Sequence, residues 1–358
     1  MKKITVTIDI SPLKNTNRFR GVGFYTKNLT ESLQRIVKEN KKYSNFEIKL
    51  TDKPFSNSVI QQLSLVHYPY FDIFFPTLPK RETLTAVTVH DLTPLVFPDQ
   101  HPSRIKGKIN WAKQRKRLQK VEAIITDSQN SKEDIVRLVN YPPERVFVIH
   151  LGVGKSFKKI KNEKIKLKIK NKYCLPKKFV FYVGDVNWNK NVPGLVKACR
   201  KNNIPLVIAG KQAVNQNYDR NHFENQDLVW LQKESQKNPD IHLLGFVQDE
   251  DLPVIYNLAT LYCQPSFYEG FGMTVLEAMA CGCPVVSSNT GSLPEIGEDA
   301  VLYCNPNQPK SIIQSIEAVV YDNNLACKLS ERGLVQVKKF SWEKCARETL
   351  EVYQAICS

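Results

Sequence analysis

Two carboxylates flank a glycine-rich turn in the segment P-S-F-Y-E-G-F-G-M-T-V-L-E-A-M-A-C-G-C-P-V, residues 265–285. Glu269 and Glu277 are eight positions apart and bracket the predicted start of an apolar helix. The first N–H groups of a helix lack intrahelical partners, and the helix dipole favours an anion there. Carboxylates accept hydrogen bonds from sugar and ribose hydroxyls, so the pattern predicts a sugar-nucleotide site. On the residues alone, Glu269 could instead be a helix N-cap and Glu277 an exposed helix residue.

The two glycines of this turn have a physical reason to be present. A backbone approaches a ligand closely only where no Cβ intrudes, and Gly270 and Gly272 meet that condition. We therefore expect the N–H groups from Phe271 through Met273 to Thr274 to face the sugar and the diphosphate.

Further candidates lie where predicted strands end. His90 closes a strand and precedes Asp91, and Lys190 follows a strand and a polar run of three residues. Ligands of open parallel sheets bind beyond the carboxyl ends of the strands, which makes both residues candidates for the site. The alternatives are a structural histidine and a surface lysine at the start of a helix.

Two weaker patterns also stand beside predicted elements. Gly21 and Gly23 end a loop that leads into a helix, and Gly245 to Val247 form a strand-to-turn transition. A G-x-G pair without a third glycine is not a dinucleotide fingerprint. The pair nevertheless gives a ligand close access to the backbone.

These residues need a scaffold of alternating strands and helices. Strands are predicted at 4–10, 63–67, 85–90, 123–126, 146–151, 179–184, 206–210, 241–244, 261–264 and 284–287. Helices are predicted after the Gly21 loop and near 191–203, 249–259, 272–282, 309–322 and 340–356. Such alternation is typical of parallel α/β sheets, and it occurs in two series joined near residues 152–178. We expect an α/β protein of two similar domains with a cleft between them.

Length and composition agree with two soluble domains. The 358 residues exceed what one hydrophobic core usually supports. Hydrophobic residues at 42% and charged residues at 24% are ordinary for a globular protein. Because the start M-K-K-I-T-V-T-I-D-I alternates like a strand and no long apolar run appears, we expect a cytoplasmic protein without a signal peptide.

The net charge of +16 is concentrated in two segments. Residues 104–120 hold eight basic and no acidic side chains, and residues 158–172 hold eight lysines and one glutamate. Such segments bind anionic lipid or nucleic acid, or are solvated helical faces. In the first segment Trp111 and Leu118 share a helical face while Ile105 and Ile109 point elsewhere, so any membrane contact should be electrostatic and peripheral.

Nine cysteines, all at or after Cys174, have no regular spacing. We interpret them as free thiols in a reducing compartment. Cys281 and Cys283 flank a glycine but lack a second pair for a zinc site, so we expect small residues in a tight turn.

The segment from Glu269 to Glu277 resembles the E-x7-E signature of retaining glycosyltransferases of the GT-B fold, in the family-4 group called glycosyl transferases group 1. Four further segments resemble family segments in the same order: V-H-D-L-T-P-L-V-F-P near residue 90, Y-V-G-D-V-N-W-N-K-N at 182–191, L-L-G-F-V-Q-D-E-D-L at 243–252 and S-N-T-G-S-L-P-E at 288–295. The likeness covers nearly the whole chain, and the segment after residue 90 is most like bacterial mannosyltransferases.

This resemblance implies the GT-B architecture of two Rossmann-like domains facing each other across a cleft. Residues 1–155 with about 341–358 would form the acceptor-side domain, because the family's terminal helix crosses back to it. Residues 156–340 would form the domain that binds the nucleotide sugar.

The resemblance also implies roles for single residues. Glu269 would bond the transferred sugar, His90 would lie close to its hydroxyls and the reaction centre, and Lys190 would neutralise the diphosphate. Glu277 would hold the ribose. The Gly245 to Val247 turn would offer backbone groups to the nucleobase.

The loop at Gly21 and Gly23 would close over the donor from the N-terminal domain. Many family members carry an arginine where this chain has Asp185 or Asn189. Lys190 would then act on the phosphate with the helix start alone, or with Arg20 from the opposite domain.

The expected activity is metal-independent, retaining transfer of a hexose to a glycan or lipid-linked glycan, as in polysaccharide biosynthesis. GDP-mannose is the first candidate donor and a UDP-hexose the second. The D-E-D run at 249–251 lies in the turn expected to bind the base, not where a metal-bound diphosphate would need it. We expect the two basic segments to contact the inner face of the cell membrane.

Two other classes of function remain open on the sequence. Paired carboxylates also serve a glycoside hydrolase or a phosphorylase-type enzyme on the same fold, although hydrolysis does not need Lys190. The basic segments alone would suit a protein that binds nucleic acid or another anionic surface, which is the less expected alternative.

Overall fold

A computed structural model describes residues 3–15, 18, 21–52, 64–80 and 83–358. The chain divides into two compact units. The N-terminal unit comprises Met1–Gly152 and Phe340–Ser358, and the C-terminal unit comprises Val153–Lys339.

Twelve strands are present in the described residues. In chain order they are β1 Ile4–Asp9, β2 Phe46–Thr51, β3 Leu65–Tyr68, β4 Thr85–Thr88, β5 Ala123–Thr126, β6 Val146–Val148, β7 Val180–Val183, β8 Leu206–Ala209, β9 Ile241–Gly245, β10 Leu261–Gln264, β11 Val285–Ser288 and β12 Leu302–Cys304.

Fourteen α-helices accompany them in the same residues. They are α1 Gly21–Glu39, α2 Thr93–Val96, α3 Ile105–Leu118, α4 Gln129–Val139, α5 Glu163–Lys172, α6 Val192–Lys201, α7 Lys211–Val214, α8 Gln226–Ser235, α9 Leu252–Leu258, α10 Met273–Ala280, α11 Leu293–Gly297, α12 Pro309–Tyr321, α13 Asn323–Gln336 and α14 Trp342–Cys357.

Each unit is built on one parallel six-stranded sheet. The N-terminal sheet has the order β2-β1-β3-β4-β5-β6, and the C-terminal sheet has the order β12-β11-β10-β7-β8-β9. Six strands (β3, β4, β5, β8, β10 and β11) are buried along their whole length. Helices on both faces of a parallel sheet bury its strands, which explains these short apolar runs. The predicted α/β class with two parallel sheets is confirmed.

The C-terminal sheet reverses its winding between β7 and β10. From β7 the chain adds β8 and β9 on one side, and β10, β11 and β12 follow on the other. This is the doubly wound order, in which the crevice at the reversal is the preferred place for a ligand. The loops after β7 and β10 therefore frame the expected site.

Most predicted strands agree with the structure within two or three residues, but β2 and β12 were missed. Both are edge strands, and β2 reads F-E-I-K-L-T with half-exposed and exposed positions after Phe46. An edge strand lacks the continuous burial that makes a central strand recognisable. His90 lies two residues beyond the end of β4, and Leu63 of the strand predicted at 63–67 is outside the described residues.

The last helix packs in the N-terminal unit, as predicted. Helix α14 lies against α1, with the rings of Trp342 and Phe24 5.9 Å apart in an edge-to-face arrangement. The Tyr353 hydroxyl is 2.6 Å from Nδ1 of the buried His67. The chain thus returns to its first domain for its final 19 residues.

Membrane-spanning helices are absent from the residues that the structure describes. Within these ranges no helix is both long enough and apolar enough to cross a bilayer.

Candidate functional site

Lys190 and Glu269 meet at the reversal of the C-terminal sheet. Lys190 follows β7 and Glu269 follows β10, neighbouring strands in the sheet. The Lys190 ammonium is 2.9 Å from Oε1 and 2.7 Å from Oε2 of Glu269. About a quarter of the lysine side chain and a tenth of the glutamate side chain are exposed, so both remain accessible to a ligand.

Backbone and aromatic contacts hold the two loops together. The Phe267 N–H donates to the Asn189 carbonyl at 2.7 Å, and the Asn189 amide donates to the Tyr268 carbonyl at 3.1 Å. The rings of Trp188 and Phe267 stack with centroids 5.1 Å apart. Asn189 therefore ties the lysine loop to the glutamate loop.

Neighbouring polar side chains fix the Glu269 carboxylate. Gln264 and Ser266 each donate to Oε1 at 2.7 Å. The Gln264 oxygen in turn accepts from Tyr262 and, at 3.3 Å, from Thr274. In the described part of the chain, Oε2 accepts from Lys190 alone, so it is the oxygen best able to accept a further hydrogen bond.

The turn between the carboxylates is rigidly supported. Gly272 has φ +113°, and a Cβ there would lie 2.7 Å from the Leu293 side chain, so only glycine fits. The Ser292 hydroxyl donates to the carbonyls of Glu269 at 2.9 Å and Phe271 at 2.7 Å. The S-N-T-G-S-L-P-E segment thus braces the backbone that leads into α10.

Helix α10 begins at Met273 and carries Thr274 and Glu277. The Tyr256 hydroxyl donates to Glu277 Oε2 at 3.1 Å. Burial raises the pKa of Glu277 to about 8, opposed by the hydrogen bond from Tyr256. Glu277 is held by Tyr256, whereas Lys190 and Glu269 pair with each other, so Glu277 belongs to a separate part of the same helix-start region.

The Gly245 turn lies at the same edge of the sheet, at the end of the outermost strand β9. Gly245 has φ +67°, and its carbonyl accepts from the Gly210 N–H at 2.8 Å. Val247 is buried and Phe246 between them is 53% exposed.

His90 belongs to the N-terminal unit and is held by its neighbours there. Its Nδ1 is 2.6 Å from Oδ2 of Asp127, and its Nε2 is 3.2 Å from the Pro69 carbonyl oxygen. The Tyr25 ring meets the imidazole edge-on at 4.8 Å. Burial by itself lowers the pKa of His90, but Asp127, with Asp91 and the Pro69 carbonyl, outweighs burial and raises it.

Gly21 and Gly23 lie in the first turn of α1 and not in the loop before it. The predicted start of the helix was therefore too late, because glycine at a helix N-terminus is tolerated and gave no sequence signal for the boundary. Arg20 lies outside the described residues.

Sequence reasoning missed Gln264, Ser266, Tyr256 and Asp127. Gln264 is the last residue of β10 and Asp127 the first after β5. The strand-end rule that selected His90 would have found both. Tyr256 sits within α9 and carried no comparable signal.

Part of the first basic segment is engaged within the fold. Arg115 donates to the Val139 carbonyl and Arg117 to the Leu78 carbonyl, so both are engaged within the fold. The remaining basic side chains are exposed: Arg104, Lys106, Lys108, Lys113, Lys116 and Lys120. Trp111 packs against the core, while Ile105 is 79% and Ile109 49% exposed.

The second basic segment contains the whole of α5. Lys166 pairs with Glu163 at 3.0 Å, and Lys172 pairs with Asp251 at 2.6 Å. Asp251 of the D-E-D run also accepts from the Tyr173 hydroxyl at 2.8 Å.

All nine cysteines lie within the described residues and have free thiols. Cys281 and Cys283 are buried, and burial raises the pKa of both. Across the described ranges, no group of three or more His, Cys, Asp or Glu side chains could hold a metal ion.

Two family models match the chain. Residues 159–336 match glycosyl transferases group 1, and residues 20–156 match glycosyltransferase family 4. The first covers the C-terminal sheet with Lys190, Glu269 and Glu277, and the second covers the N-terminal sheet from β2 to β6 with His90, but not β1.

Two curated relatives are mannosyltransferases of Escherichia coli. The O-antigen chain mannosyltransferase B is 33% identical over 288 residues, which are 78% of this chain and 72% of that protein. The serotype-specific mannosyltransferase WbdA is 28% identical over 276 residues, 75% of this chain. The match spans only a third of WbdA, which is therefore a much longer protein.

A solved structure shares the fold over the full length. The structure of Anabaena HepE in complex with UDP and glucose aligns with a TM-score of 0.73 and 16% identity, covering 99% of this chain and 100% of that chain. Sheet order, site geometry and relatives agree: the chain belongs to the glycosyl transferases group 1 family and is a glycosyltransferase of the GT-B fold.

Proposed function

We propose that the protein is a retaining, metal-independent transferase that moves a hexose, with mannose first, from a nucleoside diphosphate sugar to a glycan or lipid-linked glycan. The observation that carries the proposal is the Lys190 to Glu269 ion pair beside the start of α10. It puts a cation, a carboxylate and a helix N-terminus at the ligand crevice of a doubly wound sheet.

The leaving diphosphate is the chief chemical difficulty. As the bond from the anomeric carbon to the phosphate oxygen breaks, its electron pair goes to the diphosphate, whose negative charge must be stabilised. Lys190 has three N–H donors, so it can keep Glu269 and also donate to a phosphate oxygen. The first N–H groups of α10 supply the rest.

The acceptor hydroxyl attacks the anomeric carbon on the face from which the diphosphate leaves. Its oxygen forms the new glycosidic bond, and its proton passes to the departing phosphate oxygen. Glu269 Oε2 accepts a hydrogen bond from a sugar hydroxyl, while Oε1 stays fixed by Gln264 and Ser266. His90 and Glu269 thus position the sugar and form no covalent intermediate.

The nucleotide would extend from the diphosphate along the same edge of the sheet. Glu277 would accept hydrogen bonds from the ribose hydroxyls, and the turn from Gly245 to Val247 would meet the base. The names of both relatives support mannose, and hence GDP-mannose as the first donor. The HepE complex with UDP and glucose supports a UDP-hexose as the second.

The positive charge for the leaving group comes from the protein in this proposal. Lys190 and the start of α10 supply it, and Asp251 of the D-E-D run is already engaged by Lys172 and Tyr173. We therefore assign no role to a divalent cation in donor binding.

The exposed face of α3 supports a peripheral contact with an anionic membrane, where a lipid-linked acceptor would be found. Asn110 and Gln114 of α3 donate to the carbonyls of Phe74 and Phe75 and hold that loop against the helix. The Phe75 ring is 68% exposed, and Ile105 and Ile109 are exposed on α3 itself. Apolar side chains among six exposed cations match the chemistry of a charged lipid surface.

A donor panel tests the proposed function. In the presence of EDTA, we expect GDP-mannose to raise the melting temperature of the protein more than UDP- or dTDP-sugars do. We also expect slow hydrolysis of GDP-mannose, with the released sugar first appearing in the anomeric configuration of the donor. Cleavage of simple mannosides without any nucleotide would instead indicate a glycoside hydrolase. No stabilisation by any nucleotide sugar would refute the proposal.

A further inference from the structure

The buried carboxylate of Asp127 has no role in the chemistry described so far. We propose that Asp127 is a positioning residue that fixes the orientation and the proton of His90, so that His90 donates a hydrogen bond to the donor sugar from Nε2. This inference rests on the proposed function, because it assumes that His90 contacts the sugar.

The hydrogen-bond partners of the ring define its protonation state. Nδ1 faces a carboxylate oxygen of Asp127 at 2.6 Å, and Nε2 faces the carbonyl oxygen of Pro69 at 3.2 Å. Both oxygens can only accept. A neutral imidazole would point a lone pair at one of them, whereas the imidazolium donates to both.

A negative charge on Asp127 does not stabilise the fold. The residue is 3% exposed, and within the described ranges its Oδ1 has no hydrogen-bond partner. A buried carboxylate with an unsatisfied oxygen is costly, and a neutral side chain of the same shape would avoid that cost. The charge is explained by its single partner, the His90 ring.

The surroundings leave only one edge of the His90 ring available. Asp127 holds Nδ1, the Tyr25 ring packs edge-on at 4.8 Å, and the Ser131 hydroxyl donates to the His90 carbonyl at 3.0 Å. The His90 side chain is 18% exposed and that of Asp127 only 4%. Of the two ring nitrogens, Nε2 has the longer hydrogen bond, and we assign it to the ligand, which would take the place of the Pro69 carbonyl as its acceptor.

Pairing with Asp127 suits His90 to a position next to a reaction centre that becomes positively charged. A lone imidazolium would place a full positive charge next to a sugar that becomes oxocarbenium-like. Paired with Asp127, the ring remains a strong hydrogen-bond donor, but the two residues together carry no net charge. The carboxylate also prevents ring rotation, because a rotated ring would lose the 2.6 Å bond.

Asp127 dominates the charged surroundings of His90. The titratable groups around the pair are Asp91, Tyr25, His67, His150 and Cys345. Burial raises the pKa of Tyr25 and of Cys345 and lowers that of His67 to about 3, so these three are uncharged near neutral pH. Asp127 and Asp91 remain as the acids that keep the ring protonated as pH rises.

The first test is the titration of His90 in the intact wild-type protein, by nitrogen-15 NMR of labelled histidine. The His90 signals are identified by their absence in His90→Asn. We expect both ring nitrogens to carry protons at neutral pH and the titration to lie above the ordinary histidine value of about 6.5. Titration below that value, with one nitrogen unprotonated at pH 7, would overturn the proposal.

The second test is Asp127→Asn, with Asp134→Asn as the matched control in α4. Asp134 is also buried but pairs with Arg137. We expect Asp127→Asn to slow hydrolysis of GDP-mannose about tenfold or more, as for hydrogen-bond partners of other functional histidines, and to move the alkaline limb of kcat/KM to lower pH. Its melting temperature should stay near that of the wild type. The control should change none of these quantities.

A double variant separates this inference from the proposed function. If His90→Asn alone is impaired, Asp127→Asn should add no further loss in that background. Impairment of His90→Asn with unimpaired Asp127→Asn overturns only the role of Asp127. Full activity of His90→Asn overturns the proposed contact with the sugar, and the titration then still decides the protonation of the pair.

Discussion

At the scale of residues, each unit holds its candidate charged side chains in a pair. Lys190 pairs with Glu269 and His90 with Asp127, each within 3 Å. Burial costs less free energy for paired charges than for isolated ones, so partly buried ionic groups persist without a ligand. A donor therefore meets side chains whose positions are already fixed, which is the condition for strong stabilisation of developing charge.

We expect Glu277 to make donor binding depend on pH. Its pKa of about 8 leaves the side chain largely protonated at pH 7. Ribose hydroxyls donate best to the carboxylate, so we expect GDP-mannose to bind about tenfold more weakly at pH 7 than well above pH 8. Calorimetry in buffers of different ionisation heat should detect proton release on binding near pH 7.

The matched variant for this prediction is Glu277→Gln. It should lose the pH dependence and the proton release. Because the folded protein binds the Glu277 proton more tightly than the unfolded chain, this group lowers stability as pH rises toward 8. The glutamine variant should therefore gain in melting temperature relative to the wild type most clearly at pH 8. Proton release that persists in the variant would assign it to another group.

Single residues were predicted where their chemistry and their place after a strand coincided. Glu269, Lys190 and His90 all follow strands of the parallel sheets. Their partners were harder to predict, since Lys190 and Glu269 are 79 positions apart and meet because β7 and β10 are neighbours. Asn189 can join the lysine loop to the glutamate loop for the same reason, since these loops follow β7 and β10.

At the scale of elements, central strands and apolar helices were predictable and sheet edges were not. Strands β5 and β10 were predicted to the residue because both faces are buried and their composition is uniform. The start of α1 was misplaced because its first turn consists of residues with no helix signal, Gly21 and Gly23.

The return of the chain into the N-terminal unit depends on Gly152. A Cβ at this position would lie 2.1 Å from the Trp342 nitrogen and 2.5 Å from the Ser341 carbonyl carbon. These are backbone atoms at the start of α14, which cannot move without shifting the helix. We expect Gly152→Ala to lower the free energy of unfolding by about 3 kcal/mol, measured by urea denaturation.

Gly107 is the matched glycine on the same unit. It lies within α3, and a Cβ there would be 3.3 Å from the Ser103 Cβ and 3.5 Å from the Phe74 ring. We expect Gly107→Ala to change stability by less than about 1 kcal/mol, because helix propensity offsets the close contact. Equal stability of the two alanine variants would contradict the account of Gly152.

At the scale of the whole molecule, the two units carry different parts of the proposed chemistry and each carries a basic segment. The C-terminal unit holds the Lys190 to Glu269 pair and α5, and the N-terminal unit holds His90 and α3. Residue counts located the charge but could not show which of the cations the fold engages. Arg115 and Arg117 bind backbone carbonyls, which only the fold could reveal.

The exposed cations of α3 lead to a prediction about membranes. We expect the protein to float with phosphatidylglycerol vesicles at low salt and to stay soluble at high salt, since each lysine near an anionic surface contributes about 1 kcal/mol. Changing Lys106, Lys108 and Lys113 together to glutamate should abolish flotation. The same change at Lys201, Lys233 and Lys237 alters net charge equally and should leave flotation intact.

Two outcomes would contradict the membrane proposal. Wild-type protein that remains in the soluble fraction with anionic vesicles at low salt would refute it outright. Loss of flotation in both triple variants would attribute binding to net charge and not to the surface of α3.

The central claim, that Lys190 and the start of α10 bind the diphosphate of a sugar nucleotide, is tested most directly by the affinity for GDP-mannose in EDTA. Because Lys190→Ala removes a charge-assisted contact, we expect this variant to bind GDP-mannose at least about tenfold more weakly. The exposed Lys197 on α6 supplies the control, and Lys197→Ala should bind like the wild type. Unchanged affinity in Lys190→Ala would contradict the assignment of the site.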